Sequence, residues 1–161
     1  MYCIDIDTIQ RTCQRNIAGL QTIRILEASK IVNVPPVFEG VLNGTLKIQT
    51  GASFVTWQPD MLSVFSEPRK TDNGRDYYEP EVLISFSKDR EQLIKHHHIM
   101  RGEKYALLVT DRNGVTKFLR KIQNLSEYTS GDFKGRNFYS FRFFNQMPTA
   151  APIFLGNIDN S

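Results

Sequence analysis

Apolar and polar residues alternate over short stretches along most of this chain, with the period of a strand rather than of a helix. Between Gln21 and Glu27, Ile23 and Ile25 fall on one face, with Thr22, Arg24 and Leu26 on the other. That spacing predicts a strand with one buried side. Leu46 and Ile48 alternate in the same way with Lys47 and Gln49, and Tyr105, Leu107 and Val109 with their neighbours. Within Asn137 to Phe144, Tyr139, Phe141 and Phe143 share a face opposite Ser140 and Arg142. Ser53 to Trp57 reads as a further strand, running into Pro59.

Three Asn-Gly pairs lie between these stretches, at Asn43-Gly44, Asn73-Gly74 and Asn113-Gly114. Asn and Gly tolerate the positive φ of a type I′ turn, so each pair predicts a two-residue hairpin loop. The first hairpin would run from Val37 to Leu42 and return from Thr45 to Gln49; the third would join Tyr105–Val109 to Val115–Arg120. The second is more informative. A two-residue loop at Asn73-Gly74 sets Asp72 opposite Arg75, Pro68 opposite Glu79 and Pro80 opposite Glu67. Two prolines on adjacent rungs cannot serve one continuous ladder. The hairpin should therefore divide into an apolar base, Met61 to Ser66 with Glu81 to Ser87, and a charged, aromatic tip, Arg69 to Tyr78. Two stretches favour helix. One runs from about Ile4 to Gln14. The other begins at Asp89, with Gln92 completing a capping box, and stops at Gly102. After the last strand comes the stiff segment Pro148-Thr149-Ala150-Ala151-Pro152 and the apolar group Ile153-Phe154-Leu155, which must be covered by its own domain or by a neighbour.

These elements define a mainly β fold: an antiparallel β-sandwich or barrel with one flanking helix, a projecting β-hairpin arm and an extended C-terminal strap. The expectation is a single domain over residues 1–161, with the short N-terminal helix at about 4–14, the arm at about 67–80 and the strap at about 148–161. A domain of 161 residues buries roughly 70% of its unfolded surface, enough for a core without disulfides or metals. The two cysteines, Cys3 and Cys13, are too few for a disulfide scaffold or a closed tetrahedral metal site and read as reduced thiols. The net charge of +3 is mild and does not by itself imply a nucleic-acid partner. No stretch resembles a signal peptide or reaches the roughly 20 apolar residues of a membrane span, so a cytosolic setting without a membrane partner is expected.

Candidate chemistry is sparse. His96, His97 and His98 are consecutive, which on a helix splays them about 100° apart and prevents convergence on one ion. Asp5 with Asp7, and Glu79 with Glu81, have no histidine or nucleophile placed beside them by any motif. Gly131-Asp132-Phe133-Lys134-Gly135 is turn chemistry with no helix opening after it, and no phosphate loop or dinucleotide fingerprint occurs. The expectation is therefore no enzyme, no cofactor, no metal and no small-molecule substrate. Lys134, Arg136, Phe138 and Arg142 interleave charge with aromatics, and a β-surface of that kind can bind single-stranded nucleic acid. This is the alternative reading, a single-stranded nucleic-acid-binding β-barrel module. The alternation of Tyr139, Phe141 and Phe143 against Ser140 and Arg142 favours a core strand instead.

The opening Cys13-Gln14-Arg15-Asn16-Ile17-Ala18-Gly19-Leu20 has the form Cys-x-x-Asn-x-x-Gly and leads directly into a strand. With the Thr129-Ser130-Gly131 turn, the aromatic strand Phe138 to Phe144 and the Ala-Ala-Pro segment, it resembles the small virion structural proteins of tailed bacteriophages of Bacteroidetes, the crAss-like phages. More broadly the chain is similar to their tail-tube and head–tail connector ring subunits. The resemblance implies a non-enzymatic subunit that forms homo-oligomeric rings through its arm and strap. It also implies other tail, neck or portal proteins as partners, phage DNA in the lumen without sequence-specific contact, and a place in the virion after assembly in a bacterial cytoplasm. Its implied interface residues are Arg69, Arg75, Tyr77, Tyr78, Ile153, Phe154 and Leu155. The mild positive charge departs from the acidic lumen often expected of such tubes, and a ring outside the channel fits it as well.

Overall fold

The computed structural model describes residues 19–59, 63–87, 103–125, 131–133 and 136–161, with the backbone alone at 85–87, 131–133 and 136–139. Both expected helices, His96 to His98, Cys3, Cys13 and the Asp5/Asp7 pair lie outside the described residues. Within them the protein is mainly β, built from several sheets with no closed barrel. The strands are β1 (Leu20–Glu27), β2 (Ile31–Asn33), β3 (Val37–Phe38), β4 (Val41–Leu42), β5 (Thr45–Ile48) and β6 (Val55–Trp57). Next come β7 (Val64–Ser66), β8 (Arg69–Asp72), β9 (Arg75–Tyr78), β10 (Glu81–Ser87), β11 (Lys104–Asp111) and β12 (Thr116–Asn124). The last four are β13 (Gly131–Phe133), β14 (Arg136–Phe144), β15 (Ile153–Phe154) and β16 (Asn157–Asp159). A single 3-10 turn, Ala28–Lys30, separates β1 from β2.

The large sheet runs β3-β4-β15-β12-β11-β1-β6, and β14 branches from it, carrying β10, β7 and β13. The branch point is β12, whose Lys117 pairs with Ile153 of β15 while Gln123 and Asn124 pair with Phe144 and Phe143 of β14. A separate sheet orders β16-β5-β2. Between them the strands β1, β11 and β12 bury side chains on both faces. One face packs Ile23, Ile25, Leu107, Val109 and Leu119 against Val82, Ile84, Phe141 and Phe143. The other packs Leu26, Ala106, Leu108 and Phe118 against Leu42, Leu46, Ile48 and Phe154. This explains why β11 reads Tyr105-Ala106-Leu107-Leu108-Val109 without a polar interruption: all five side chains are buried. It also corrects the expectation of one buried side for β1, because Leu26 enters the second core.

A bulge maintains this two-faced packing. Tyr105 pairs with Ile122 but Leu107 with Leu119, so Arg120 and Lys121 together oppose Ala106. The extra residue turns Ile122 onto the face of Leu119, although the two are three positions apart, and both join the first core. Arg120 and Lys121 are left pointing to solvent.

The three Asn-Gly pairs have three different fates. Asn73 and Gly74 both take positive φ, 49° and 76°, and β8 pairs β9 with Asp72 opposite Arg75, the register expected. Asn113-Gly114 also closes a hairpin, but with a three-residue loop. Gly114 at φ 86° donates its N–H to the Asp111 carbonyl, and the Asp111 N–H donates to Val115. The Asp111 carboxylate adds bonds from the Asn113 and Val115 amides at 2.9 and 3.0 Å. Asn43-Gly44 closes no hairpin. The turn falls instead at Glu39-Gly40, both at positive φ (50° and 75°), so that Val37 and Phe38 pair with Leu42 and Val41. At Asn43-Gly44 the chain leaves the large sheet for the small one.

The C-terminal segment follows that crossing residue for residue. Ile153 and Phe154 pair in parallel with Val41 and Leu42, and Asn157, Ile158 and Asp159 with Thr45, Leu46 and Lys47. The amides of Ile153, Leu155 and Asn157 donate to the carbonyls of Gly40, Leu42 and Gly44 at 2.9 to 3.0 Å. Phe154, 8% exposed, lies against Phe118 with ring centroids 6.4 Å apart. Upstream, the Ala151 amide donates to Glu67 Oε2 at 2.8 Å, and Lys117 lies 4.0 Å from the other carboxylate oxygen and over the Phe65 ring. The segment expected as a strap is thus woven between β4 and β12 of its own body.

Candidate assembly interface

The hairpin from β7 to β10 divides where the prolines required. Its base, Val64–Ser66 with Glu81–Leu83, belongs to the large sheet, whereas β8 and β9 form a two-stranded sheet of their own. At the junction the Glu79 amide donates to the Pro68 carbonyl at 3.1 Å. Tyr78 and Met147 exchange two backbone bonds of 2.8 Å, which anchors the root of the tip to the chain beyond β14.

Beyond that root, residues 69–76 are all exposed. Their order comes from cross-strand chemistry. Arg69 forms an ion pair and hydrogen bond with Asp76, and Thr71 Oγ1 donates to the other Asp76 oxygen at 2.7 Å. The Thr71 hydroxyl, then the Arg69 guanidinium, hold the Asp76 carboxyl below its usual range; the bond to Asp76 in turn raises Arg69. Arg75 is exposed, and Tyr77 and Tyr78 are half-buried. Between the tip and Gln146-Met147-Pro148 lies an open cleft of about 730 Å³ that Arg75 and Tyr77 help to line. Four of the expected interface residues, Arg69, Arg75, Tyr77 and Tyr78, are therefore brought together on one ribbon.

The other three are not. Ile153 and Phe154 are strand residues of the protein's own sheet, and Phe154 is committed to its own core, so neither is free to enter a neighbour's groove. Leu155 alone points outward, at 65% exposure.

Sequence reasoning missed a second set of residues. Val32 on β2, Val37 and Phe38 on β3, Val55 on β6 and Val64 on β7 are all exposed. Each of these strands has a partner on one side only among the described residues. Exposed apolar edge strands are templates for pairing with another chain, and proteins usually blunt them with charge, proline or bulges. The available signal was the pairing order, which no local pattern carries.

For the nucleic-acid alternative, Lys134 lies outside the described residues, and Arg136 and Phe138 lie in the part of β14 described by backbone alone. Arg142 donates to Glu81 Oε2 through Nε and Nη2 at 2.9 and 2.7 Å and stacks over Phe144 at 5.0 Å. Phe141 and Phe143 are fully buried, so their rings offer no stacking surface. No group of three or more His, Cys, Asp or Glu side chains gathers as a metal site among the described residues. A shallow cleft of about 450 Å³ beside the β12 bulge mixes Glu27 and Glu103 with Lys104, Arg120 and Lys121, with no dominant sign of charge.

Tyr105 stands out among the titratable groups. Burial, with smaller contributions from Glu103 and Glu27, pushes its hydroxyl up to about 12 from 10.0. Its neutral form is favoured by folding, so its stabilising contribution is complete below pH 10.0 and is lost as pH rises toward about 12. Urea unfolding across that window should show stability falling more steeply in the native protein than in Tyr105→Phe. Parallel curves for the two would contradict the assignment.

No protein-family description, curated protein or solved structure matches this chain.

Proposed function

We propose that this chain is a non-enzymatic structural subunit that assembles into homo-oligomeric rings, in the tail or neck of a phage virion. The observation that carries the proposal is the open sheet: its edge strands, paired on one side only among the described residues, expose Val37, Phe38, Val55 and Val64. The solvent-exposed tip, with Arg69, Arg75 and Tyr77 held in register by its own cross-strand bonds, supports an arm that reaches a neighbouring subunit. The phage context rests on the resemblance of the Cys13 to Leu20 opening, the aromatic strand and the Ala-Ala-Pro segment to virion proteins. In this reading the C-terminal segment stabilises the subunit itself, and the arm and the edges make the contacts. Heterologous contacts of this kind close into a ring when the rotation per subunit divides a full turn.

Sedimentation velocity over a range of protein concentrations tests the proposal directly. Higher-order species are expected, and Arg75→Ala with Tyr77→Ala should weaken them by roughly thirtyfold, the loss of one aromatic anchor of about 2 kcal/mol. Far-UV circular dichroism should be unchanged in the variant. Monomer alone, both in purified protein and in material released from particles, would rule the proposal out.

A further inference from the structure

The chain carries the dipeptide Asn-Gly in three places, and the fold restrains the three copies unequally. The dipeptide is chemically labile. Glycine has no Cβ, so its amide nitrogen meets little hindrance in approaching the side-chain carbonyl carbon of the preceding Asn. That approach requires the Asn to leave its turn conformation, and the reaction therefore follows the ease of local opening.

At Asn43-Gly44 the nitrogen is packed in. Gly156 crosses so closely that a Cβ on it would lie 2.9 Å from the Gly44 nitrogen, and the Gly44 carbonyl accepts the Asn157 amide at 3.0 Å. At Asn113-Gly114 the nitrogen is engaged. Its N–H donates to the Asp111 carbonyl at 3.1 Å, and the Arg112 amide donates to the Gly19 carbonyl at 3.2 Å. The Asp111 carboxylate holds the Asn113 and Val115 amides as well. Asn73-Gly74 has neither kind of restraint among the described residues. It lies at the end of a ribbon exposed throughout residues 69–76, and nothing stands within 4 Å of the place a Gly74 Cβ would take. The ribbon's order comes from its own cross-strand bonds.

We propose that Asn73 is a site of spontaneous conversion to aspartate and isoaspartate, set apart from the other two pairs by the fold. Hydroxide removes the Gly74 amide proton, and the nitrogen bonds to Asn73 Cγ. The Cγ–Nδ2 bond breaks and Nδ2 leaves as ammonia, taking a proton from water; a succinimide ring remains. Water then opens the ring. Breaking the bond from nitrogen to Cγ leaves Asp, and breaking the bond to the main-chain carbon leaves isoaspartate, whose backbone runs through Cβ and Cγ. Both products add a negative charge at the tip, beside Asp72 and close to Arg75. Isoaspartate also lengthens the loop, so the Asp72–Arg75 rung no longer closes in the same register. The reactive site follows from the turn and its surroundings alone; a weakening of assembly as the arm loses its register rests on the ring-subunit reading.

Ageing the full chain in mildly alkaline buffer, then digesting it at acidic pH and following the three Asn-Gly peptides by mass spectrometry, tests the proposal. In folded protein, acid at position 73 should accumulate at least about tenfold faster than at 43 or 113. In urea the three rates should converge, because the dipeptide is the same. Asn73→Gln, whose longer side chain closes a ring less readily, should lose the early product and leave the two slow ones unchanged. Equal folded-state rates at the three positions, or a faster rate at 43 or 113, would overturn the inference. So would an unchanged Asn73 in folded protein over a period in which the unfolded chain converts. Sedimentation of fresh and aged protein reads the consequence separately. Aged protein should assemble less well, and equally aged Asn73→Gln should not change. Equal assembly of fresh and aged protein would remove the effect on the arm, and absence of oligomers would remove the ring reading; the peptide rates decide the site in either case.

Discussion

Ending the chain after Pro148 abolishes the folded state; it does not yield a folded subunit that merely fails to assemble. The shortened chain loses Ala151 from one core and Phe154 from the other. It also loses the backbone bonds that the Ile153, Leu155 and Asn157 amides donate to residues 40–44, and leaves the Phe118 amide, which bonds the Pro152 carbonyl at 3.0 Å, without its acceptor. Removing a buried Phe side chain alone costs about 3–5 kcal/mol, against a total stability of about 5–15 kcal/mol for a typical domain. The β3–β4 hairpin would lose its only link to the rest of the large sheet, because β4 pairs with β3 and β15 and with no other described strand. Loss of the cooperative urea transition is the expected result. A shortened chain with a native-like midpoint and monomeric behaviour would reassign the segment to a neighbour's surface.

Replacing Gly156 by Ala is expected to be the most damaging single methyl addition among the described glycines. A Cβ there would lie 2.9 Å from the carbonyl carbon and amide nitrogen of Gly44 and closer still to its carbonyl oxygen. Both sides of this contact are backbone, held by the Leu155-to-Leu42 and Asn157-to-Gly44 bonds on either side of it, so no side chain can swing away. Overpacking of this kind costs about 3 kcal/mol. Leu155→Ala, one residue away and largely exposed, should change stability by no more than about 0.5 kcal/mol and serves as the control. Equal urea midpoints for the two variants would show that the backbones separate easily at this crossing.

How much of this was legible in the residues depends on the range of the interaction. The Asn73-Gly74 turn and the proline-notched hairpin were readable because their constraints are local: a φ preference and a missing N–H act within a few residues. The buried strand at Phe141 and Phe143 was readable from its alternation. Asn43-Gly44 was misread because the chain crosses between sheets there, with Pro35 against the place a Gly44 Cβ would take and Gly156 against the Gly44 backbone, which only the tertiary structure reveals; the turn chemistry falls to Glu39-Gly40 instead. The same holds for Phe154. Its apolar neighbours announced that something must cover it, and whether the cover was its own sheet or another subunit's depended on a partner more than a hundred residues away. The marginal positions of Phe38 and Val55 among the described strands were invisible for a related reason: a short apolar strand reads alike at the centre of a sheet and at its margin.

The parallel run of residues 153–159 beside 41–47 also imposes an order of events on the folding chain. The β11–β12 hairpin needs only local loop closure, whereas this run must join segments 112 residues apart, the slower kind of step. Until it is done, β3 is not joined to the main sheet, because among the described residues β4 reaches that sheet through β15 alone. The β3 margin therefore takes its place in the sheet only after these two remote segments have met.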